Sequence, residues 1–235
     1  MLGVIFDCDG TLLDSMEAWR EMESELARRA GAELSEADRV RLTTLTTPEA
    51  GVFFHERLGL GSSPDDVVDM INDYMLHYYS ERSRPREGAL EFVAALAERG
   101  ARLSVASSST QEFLQAGLAH TGFLPLMDAV VSVDDVGRPK REPAVYDRAR
   151  EVMGTDRAAT WGVEDAAYAV RSLKSGGYWA LSVYDCDISG TYDELAASAD
   201  LVARSFTELD PDAFVARARA CVQAGAPLRT WSPEG

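Results

Sequence analysis

The feature that most constrains this chain is a short apolar run ending in two carboxylates. Leu2 to Phe6 carries the β-branched residues Val4 and Ile5, and the chain continues Asp7-Cys8-Asp9-Gly10-Thr11-Leu12-Leu13-Asp14-Ser15. A run of this length, bounded by a polar turn, reads as a buried strand of an α/β sheet. Side chains alternate along extended chain, so Asp7 and Asp9 are expected on one side and Cys8 on the other. Gly10 then permits a sharp turn. Ligands of open α/β sheets bind at the carboxyl ends of the strands. Two like charges placed there are costly unless a cation or a proton compensates them, and a divalent metal with an anionic substrate would supply the reason for that cost.

The composition narrows what such a site can meet. The 235 residues carry a formal net charge of -16, and 46% of them are hydrophobic. That is enough for one large domain, or for a core with an insert. An acidic surface repels nucleic acid and anionic lipid, so neither is an expected partner. No apolar run approaches the roughly 18 residues a membrane span needs, and the opening Met1-Leu2-Gly3 leads straight into the strand without a leader-like segment. Cys8, Cys186 and Cys221 are scattered, with neither metal-ligand nor disulfide spacing, which points to a reducing, cytoplasmic setting. His55, His77 and His120 are equally scattered and read as ordinary surface or core residues. Lys140 and Lys174 are the only lysines, so a lysine near a strand end is informative here, whereas Lys174, on an expected helix past the strand ends, reads as solvated.

Periodicity divides the chain. Between residue 15 and about residue 84 the 3.6-residue period dominates. A first helix carries Trp19, Met22, Leu26 and Ala30, and a second is expected over 36–45. A third starts at Thr47-Pro48-Glu49, with a capping residue before proline at the first helical position. A fourth starts at Ser63-Pro64-Asp65-Asp66. Beyond Pro85 helices and strands alternate. Helices are expected over 88–99, 110–121, 143–153 and 166–175, and strands over 102–106, 129–132, 158–163, 179–183 and 201–202. Alternation of this kind predicts a central parallel sheet flanked by helices. The expected domains are therefore an α/β core of residues 1–14 and 85–235 with an inserted helical unit of residues 15–84. Residues 224–235, rich in Pro and Gly, read as a loose tail.

Three further stretches carry chemistry-bearing side chains at expected strand ends. Ser107 follows the apolar Leu103-Ser104-Val105-Ala106 and opens Ser107-Ser108-Ser109-Thr110. Such a hydroxyl is either a helix cap or part of a phosphate cradle. Lys140 lies in Gly137-Arg138-Pro139-Lys140-Arg141-Glu142-Pro143-Ala144-Val145-Tyr146, either a solvated basic turn or a source of local positive charge. Glu164-Asp165 follows Thr160-Trp161-Gly162-Val163, and is either an acidic helix start or a ligand pair. Adjacent residues of a strand face opposite ways, so only one of these two acids can easily be a direct metal ligand.

Taken together and in order, the four stretches resemble the motifs of the haloacid dehalogenase (HAD) superfamily, over residues 2 to about 208. The match is closest to its helical-cap subfamily, which includes phosphoglycolate phosphatases and β-phosphoglucomutases. The resemblance implies a Rossmann-like core with an inserted helical cap that closes over small substrates. It implies Asp7 as nucleophile, Asp9 as general acid/base, and Mg2+ held by Asp7, the Asp9 backbone carbonyl and Asp165, with Glu164 acting in the surrounding shell or through water. It implies Gly10, Thr11, Ser107, Ser108, Lys140 and Arg141 as the phosphate-binding set. Arg141 and Ala144 depart from the usual Pro and Asp of the third motif, whereas Lys140, Pro143 and Tyr146 keep register.

Within the superfamily the residues discriminate. Dehalogenases lack the second acid of the first motif, and Asp9 is present here. Phosphonoacetaldehyde hydrolases use a cap lysine, and residues 15–84 contain none. β-Phosphoglucomutases carry a His in the first cap helix, where this chain has Trp19, and an Arg in the loop matching Leu45-Thr46-Thr47-Pro48-Glu49. The expected activity is therefore that of a Mg2+-dependent phosphatase for a small phosphorylated metabolite, acting through an aspartyl phosphate. A sugar-phosphate mutase is the alternative within the superfamily, and a non-catalytic binding domain is the alternative outside enzymes. Trp19, Arg20, Thr46 and Thr47 are the candidates for substrate selection. A monomer or weak dimer is expected.

Overall fold

A computed structural model describes residues 1–42 and 45–224. The chain divides into two compact units, one formed by Met1–Asp14 with the chain from Arg84 onward, the other by Ser15–Ser83.

The first unit is built on a parallel sheet. Its strands are β1 (Gly3–Phe6), β2 (Arg102–Ser107), β3 (Ala129–Ser132), β4 (Thr160–Glu164), β5 (Trp179–Val183) and β6 (Leu201–Ala203). They lie in the order β3-β2-β1-β4-β5-β6, all parallel. This is the doubly wound order in which the direction of winding reverses between β1 and β4, and a crevice opens at that point. Every expected strand is present to within a few residues. The largest difference is at β4, which starts at Thr160 because Arg157–Ala159 form a short 3-10 turn.

The four inner strands are buried on both faces, which explains why they read as apolar runs without clean alternation. On one face Ile5, Ala106 and Val131 pack with Val145, Tyr146, Ala149 and Met153 of α7 (Ala144–Met153), and with Val170 and Leu173 of α8 (Ala167–Ser175). An aromatic cluster lies elsewhere in the unit. Phe92 of α5 (Ala89–Glu98) meets Phe214 of α10 (Pro211–Ala224), which stands edge-on to Trp161 of β4. The helix α6 (Gln111–His120) follows β2, and α9 (Tyr192–Ser198) precedes β6.

Neither α9 nor α10 is among the sequence-derived elements, although each opens on a start signal. Thr191 and Glu194 form a capping box at α9. Asp210 accepts the Ala213 amide at 2.8 Å and Pro211 opens α10. The expected tail begins at residue 224, the last residue of α10, and its remainder lies outside the described residues.

The second unit contains α1 (Met16–Arg29), α2 (Glu36–Leu42), α3 (Thr47–Leu58) and α4 (Pro64–Glu81), with no strand among its described residues. Helix α2 is shorter than the expected 36–45. Leu45 lies outside it, and Thr43 and Thr44 lie outside the described residues. The cap of α3 is Thr46, one residue earlier than expected. Its hydroxyl accepts the Glu49 amide while the Glu49 carboxylate accepts the Thr46 N–H, so Thr47 is the first helical residue and Pro48 the second.

The two linkers between the units pair with each other within the first unit. Asp14 N–H donates to the Arg84 carbonyl at 3.0 Å, Arg86 N–H donates to the Leu12 carbonyl at 2.8 Å, and Leu13 bridges Pro85 antiparallel. Residues near Asp14 and Pro85, far apart in sequence, are thereby one short ribbon.

Close packing of α8 on β4 depends on Gly162. A methyl group there would come within 2.9 Å of Leu173 Cγ and nearer still to both its δ-methyls. Leu173 is fully buried and has nowhere to retreat. Gly162→Ala is therefore expected to destabilise the fold by about 1–3 kcal/mol, the usual cost of overpacking, read as a lower urea midpoint with an unchanged slope.

Candidate active site

The crevice between β1 and β4 is where the acidic residues gather. Asp7 follows β1 directly, and its N–H continues the sheet pairing by donating to the Val163 carbonyl at 2.9 Å. That bond places Asp7 beside the end of β4, where Glu164 is the last strand residue and Asp165 the first beyond it. Carboxylate oxygens of Asp7, Glu164 and Asp165 lie within 4.8 Å of one another, and all three residues are buried. Both acids of the Glu164-Asp165 pair reach the cluster. Strict alternation holds only within the strand, and the chain leaves β4 after Glu164, so Asp165 turns into the same cluster.

One lysine faces these acids. The Lys140 ammonium, only 4% exposed, donates to Asp7 and stands 2.9 Å from Glu164 Oε1. Of the two readings of the Lys140 stretch, the solvated turn is excluded for Lys140 itself, although the neighbouring Arg141 is exposed. Tyr146, one turn into α7, donates its hydroxyl to Glu164 Oε1 at 2.7 Å. Glu164 Oε2 is buried and has no hydrogen-bond partner among the described residues.

Burial sets the electrostatics. It pushes the Asp7 carboxyl upward against the opposing pull of Lys140. It pushes Glu164 up to about 8, again against Lys140 and reinforced by Asp7. It pushes Asp165 up to about 7, reinforced by the charges of Asp7 and Asp185. For Lys140 burial acts downward, but Asp7 and Glu164 together outweigh it and hold the ammonium charged. Three buried acids against one base leave negative charge uncompensated unless protons or a cation arrive.

The turn after β1 is shaped by glycine. Gly10 has φ 78°, and a methyl group there would stand 2.7 Å from Asp165 Oδ2. The bare backbone at Gly10 thus makes room for the Asp165 carboxylate, which also receives the Thr11 hydroxyl at 3.3 Å. Leu12 and Leu13 both donate to the Cys8 carbonyl, closing the turn. Arg86, on the linker ribbon, donates to the Gly10 carbonyl and to the Tyr184 carbonyl, and pairs with Asp185 at 3.3 Å. It braces the turn against the loop after β5. Nothing in the motifs singles out Arg86, because its role depends on three segments that only folding brings together.

Asp9 stands apart from the three-acid cluster. Its carboxylate accepts the Ser109 hydroxyl at 2.6 Å. Ser107, at the end of β2, is buried and accepts the Ser109 amide at 3.1 Å. It is not the cap of α6, a role taken by Thr110, so of the two readings of Ser107 the helix cap is removed. Ser108 is exposed.

The remaining sequence candidates belong to the helical unit. Trp19 donates its indole N–H to the Tyr79 hydroxyl at 3.2 Å, a bond internal to that unit. Arg20 is exposed, Thr47 is half-buried, and the Thr46 hydroxyl is engaged in the α3 capping box.

A family model described as haloacid dehalogenase-like hydrolase matches residues 1–177. Validoxylamine A 7'-phosphate phosphatase of Streptomyces hygroscopicus subsp. limoneus is 26% identical over 206 residues, spanning 87% of this chain and 94% of that protein. Protein CbbY of Rhodobacter capsulatus is 29% identical over 184 residues, spanning 74% of this chain and 81% of that protein. The crystal structure of CbbY from Rhodobacter sphaeroides in complex with phosphate shares the fold with a TM-score of 0.74 at 21% identity, covering 89% of this chain and 96% of that one. With the family model spanning well over half of the sequence, and the four stretches meeting at one edge of the sheet, the chain belongs to the haloacid dehalogenase-like hydrolases.

Proposed function

We propose that this protein is a phosphatase that hydrolyses a small phosphorylated metabolite through an aspartyl phosphate on Asp7. The observation that carries the reading is the buried set of Asp7, Glu164 and Asp165 around a single buried lysine. The similarity to validoxylamine A 7'-phosphate phosphatase supports it.

The donor set fits Mg2+. It is all carboxylate oxygen, it is short of positive charge, and it includes an orphaned buried oxygen on Glu164. Asp7 and Asp165, with the Asp9 backbone carbonyl, would hold the ion, and Glu164 would support it. When bound, Mg2+ would offset the charge of these acids and of the phosphate.

The residues then divide the work. An Asp7 oxygen attacks phosphorus in line, the bond to the ester oxygen breaks, and Asp9 in its acid form protonates the departing alkoxide. Asp9 next takes a proton from water, which attacks the aspartyl phosphate, releases inorganic phosphate and restores Asp7. Lys140 orients Asp7 and balances charge on the moving phosphoryl group. Ser107 and the backbone amides around it offer a cradle for the phosphate oxygens. Gly10 and Thr11 would belong to the same cradle through the turn that packs against Asp165, and the exposed Ser108 and Arg141 would complete it. Substrate choice falls to the helical unit in this reading. The indole of Trp19 offers only a donor, already given to Tyr79, so it does not replace the histidine of the mutases. A panel of phosphorylated metabolites assayed with and without Mg2+ tests the activity and separates it from a binding domain.

Three outcomes are expected. Asp9→Asn keeps size but removes the transferable proton, so phosphoenzyme formation should slow by roughly 100- to 10,000-fold for an alkyl phosphate and far less for p-nitrophenyl phosphate. Label should accumulate on the acid-quenched variant, and Asp7→Asn should trap none. Equal slowing for both esters without trapped label would remove Asp9 from the acid/base role.

Lys140→Ala should lose most turnover. Lys174 differs from the solvated lysine its position suggests, because it pairs with Asp200 at 2.5 Å and lies over the Trp179 ring. Its carboxylate partner is only 9% exposed, so Lys174→Ala should cost about 1–3 kcal/mol of stability and leave turnover intact. Equal loss of turnover in the two variants would count against a specific role for Lys140.

The third outcome concerns pH. Glu164 and Asp165 hold their protons up to about 8 and about 7, above their ordinary 4.5 and 3.8. The metal-free fold binds more protons than the unfolded chain between these limits. The stability that these two acids contribute should therefore be fullest below their ordinary values and be lost as pH rises towards about 8. Mg2+ competes with those protons, so it should raise the melting temperature more near pH 8 than near pH 5. Equal Mg2+ shifts at the two pH values would show that these acids do not hold the ion.

A further inference from the structure

The loop leaving β2 is held more firmly than a phosphate cradle alone requires. Ser109 is anchored at three points. Its amide donates to Ser107 Oγ at 3.1 Å. Its carbonyl accepts the hydroxyl of the fully buried Ser132, at the end of β3, at 2.8 Å. Its own hydroxyl donates to Asp9 Oδ2 at 2.6 Å. Ser132 is fixed in turn, donating its amide to Asp135 Oδ2 at 2.8 Å and accepting the Asp134 amide at 3.2 Å. Gln111, in the first turn of α6, donates to the same Asp135 oxygen at 2.6 Å and to the Val130 carbonyl at 2.9 Å. The position of one hydroxyl beside Asp9 is thus set by the ends of β2 and β3 and by the start of α6.

We propose that Ser109 is a positioning residue that holds the Asp9 carboxyl in one place through both halves of the reaction. The inference rests on the reading of Asp9 as the acid/base. A general acid must lie within hydrogen-bond reach of the atom it serves, and a displacement of about 1 Å is enough to cost on the order of 100-fold. Asp9 lies in the turn that follows β1. The Ser109 hydroxyl, held through its own amide and carbonyl, donates to Oδ2 and so fixes where that carboxyl stands.

The experiment compares Ser109→Ala, Ser109→Thr, Asp9→Asn and the Ser109→Ala/Asp9→Asn double variant. Rapid acid quench follows phosphoenzyme formation from an alkyl phosphate and from p-nitrophenyl phosphate, and then its decay. Ser109→Ala should slow formation from the alkyl ester by up to about 100-fold, with a much smaller effect on the aryl ester. It should slow decay and leave KM nearly unchanged. Ser109→Thr, which restores the hydroxyl, should recover most of the rate. In the Asp9→Asn background the serine change should add little, because both act on one proton transfer. Should Ser109→Ala fold poorly, Ser109→Cys keeps the side-chain size with a weak donor and is expected to show the same ester discrimination. Equal slowing for both esters, a full additional loss in the Asp9→Asn background, or a faster reaction would overturn the inference. Asp9 would retain its assigned role in those cases provided Asp9→Asn itself discriminates between the esters. Absence of discrimination in Asp9→Asn would instead defeat the underlying reading, and the role of Ser109 with it.

Discussion

Burial of three carboxylates around one ammonium is the interaction on which the rest of this structure depends. Asp7, Glu164 and Asp165 are 7%, 0% and 3% exposed, and Lys140 is 4% exposed. A lone buried charge is too costly to keep, and a paired one is tolerated only with good geometry and further hydrogen bonds. Lys140 bridges Asp7 and Glu164, Tyr146 adds a donor to Glu164, and Thr11 adds one to Asp165. These partners do not complete the balance. The remaining negative charge makes the site receptive to a divalent cation and poor as a purely structural feature.

The fold meets the cost by concentrating rigid backbone at the site. The strands β1 and β4 are neighbours, so residues 157 positions apart or more in sequence stand side by side at one edge. Gly10 lets the turn pass against Asp165 where any Cβ would collide. Arg86 ties that turn to the loop after β5, and the linker ribbon ties Leu12 to Arg86. The second row of hydroxyls, Ser107, Ser109 and Ser132, runs along the ends of β2 and β3 and reaches Asp9. Acids that would hold a cation and the acid that would move a proton are therefore held by different parts of the same edge. Separation of this kind lets two carboxyls of one turn serve different tasks.

Much of this architecture is legible before folding. Apolar runs ending in acids, a hydroxyl or a lysine mark the strand ends, and 3.6-residue periodicity marks the helices, because burial on one or both faces imposes those patterns directly. The order of the four stretches identifies the family, and the absence of lysine from residues 15–84 bears on the chemistry. Patterns of this sort are local, and local chemistry is what a sequence states. Sequence alone also missed local signals: the capping box of α9 and the Asp-Pro start of α10 lie outside the strongest apolar periodicity.

Tertiary structure alone decided which atoms meet. Alternation along a strand predicts opposite faces for Glu164 and Asp165, but the strand ends between them and both acids turn inward. Lys174 reads as a solvated lysine, yet it finds Asp200 and the Trp179 ring, because β5 and β6 bring those residues beneath its helix. Ser109 is not singled out within its stretch and Arg86 lies outside all four, and each meets partners tens of residues away. The sequence by itself determined the elements and the chemical inventory at the sheet edge. Which side chains share a hydrogen bond, and which charges share a cavity, depended on strand order and on where each strand stops, and these are properties of the packed whole.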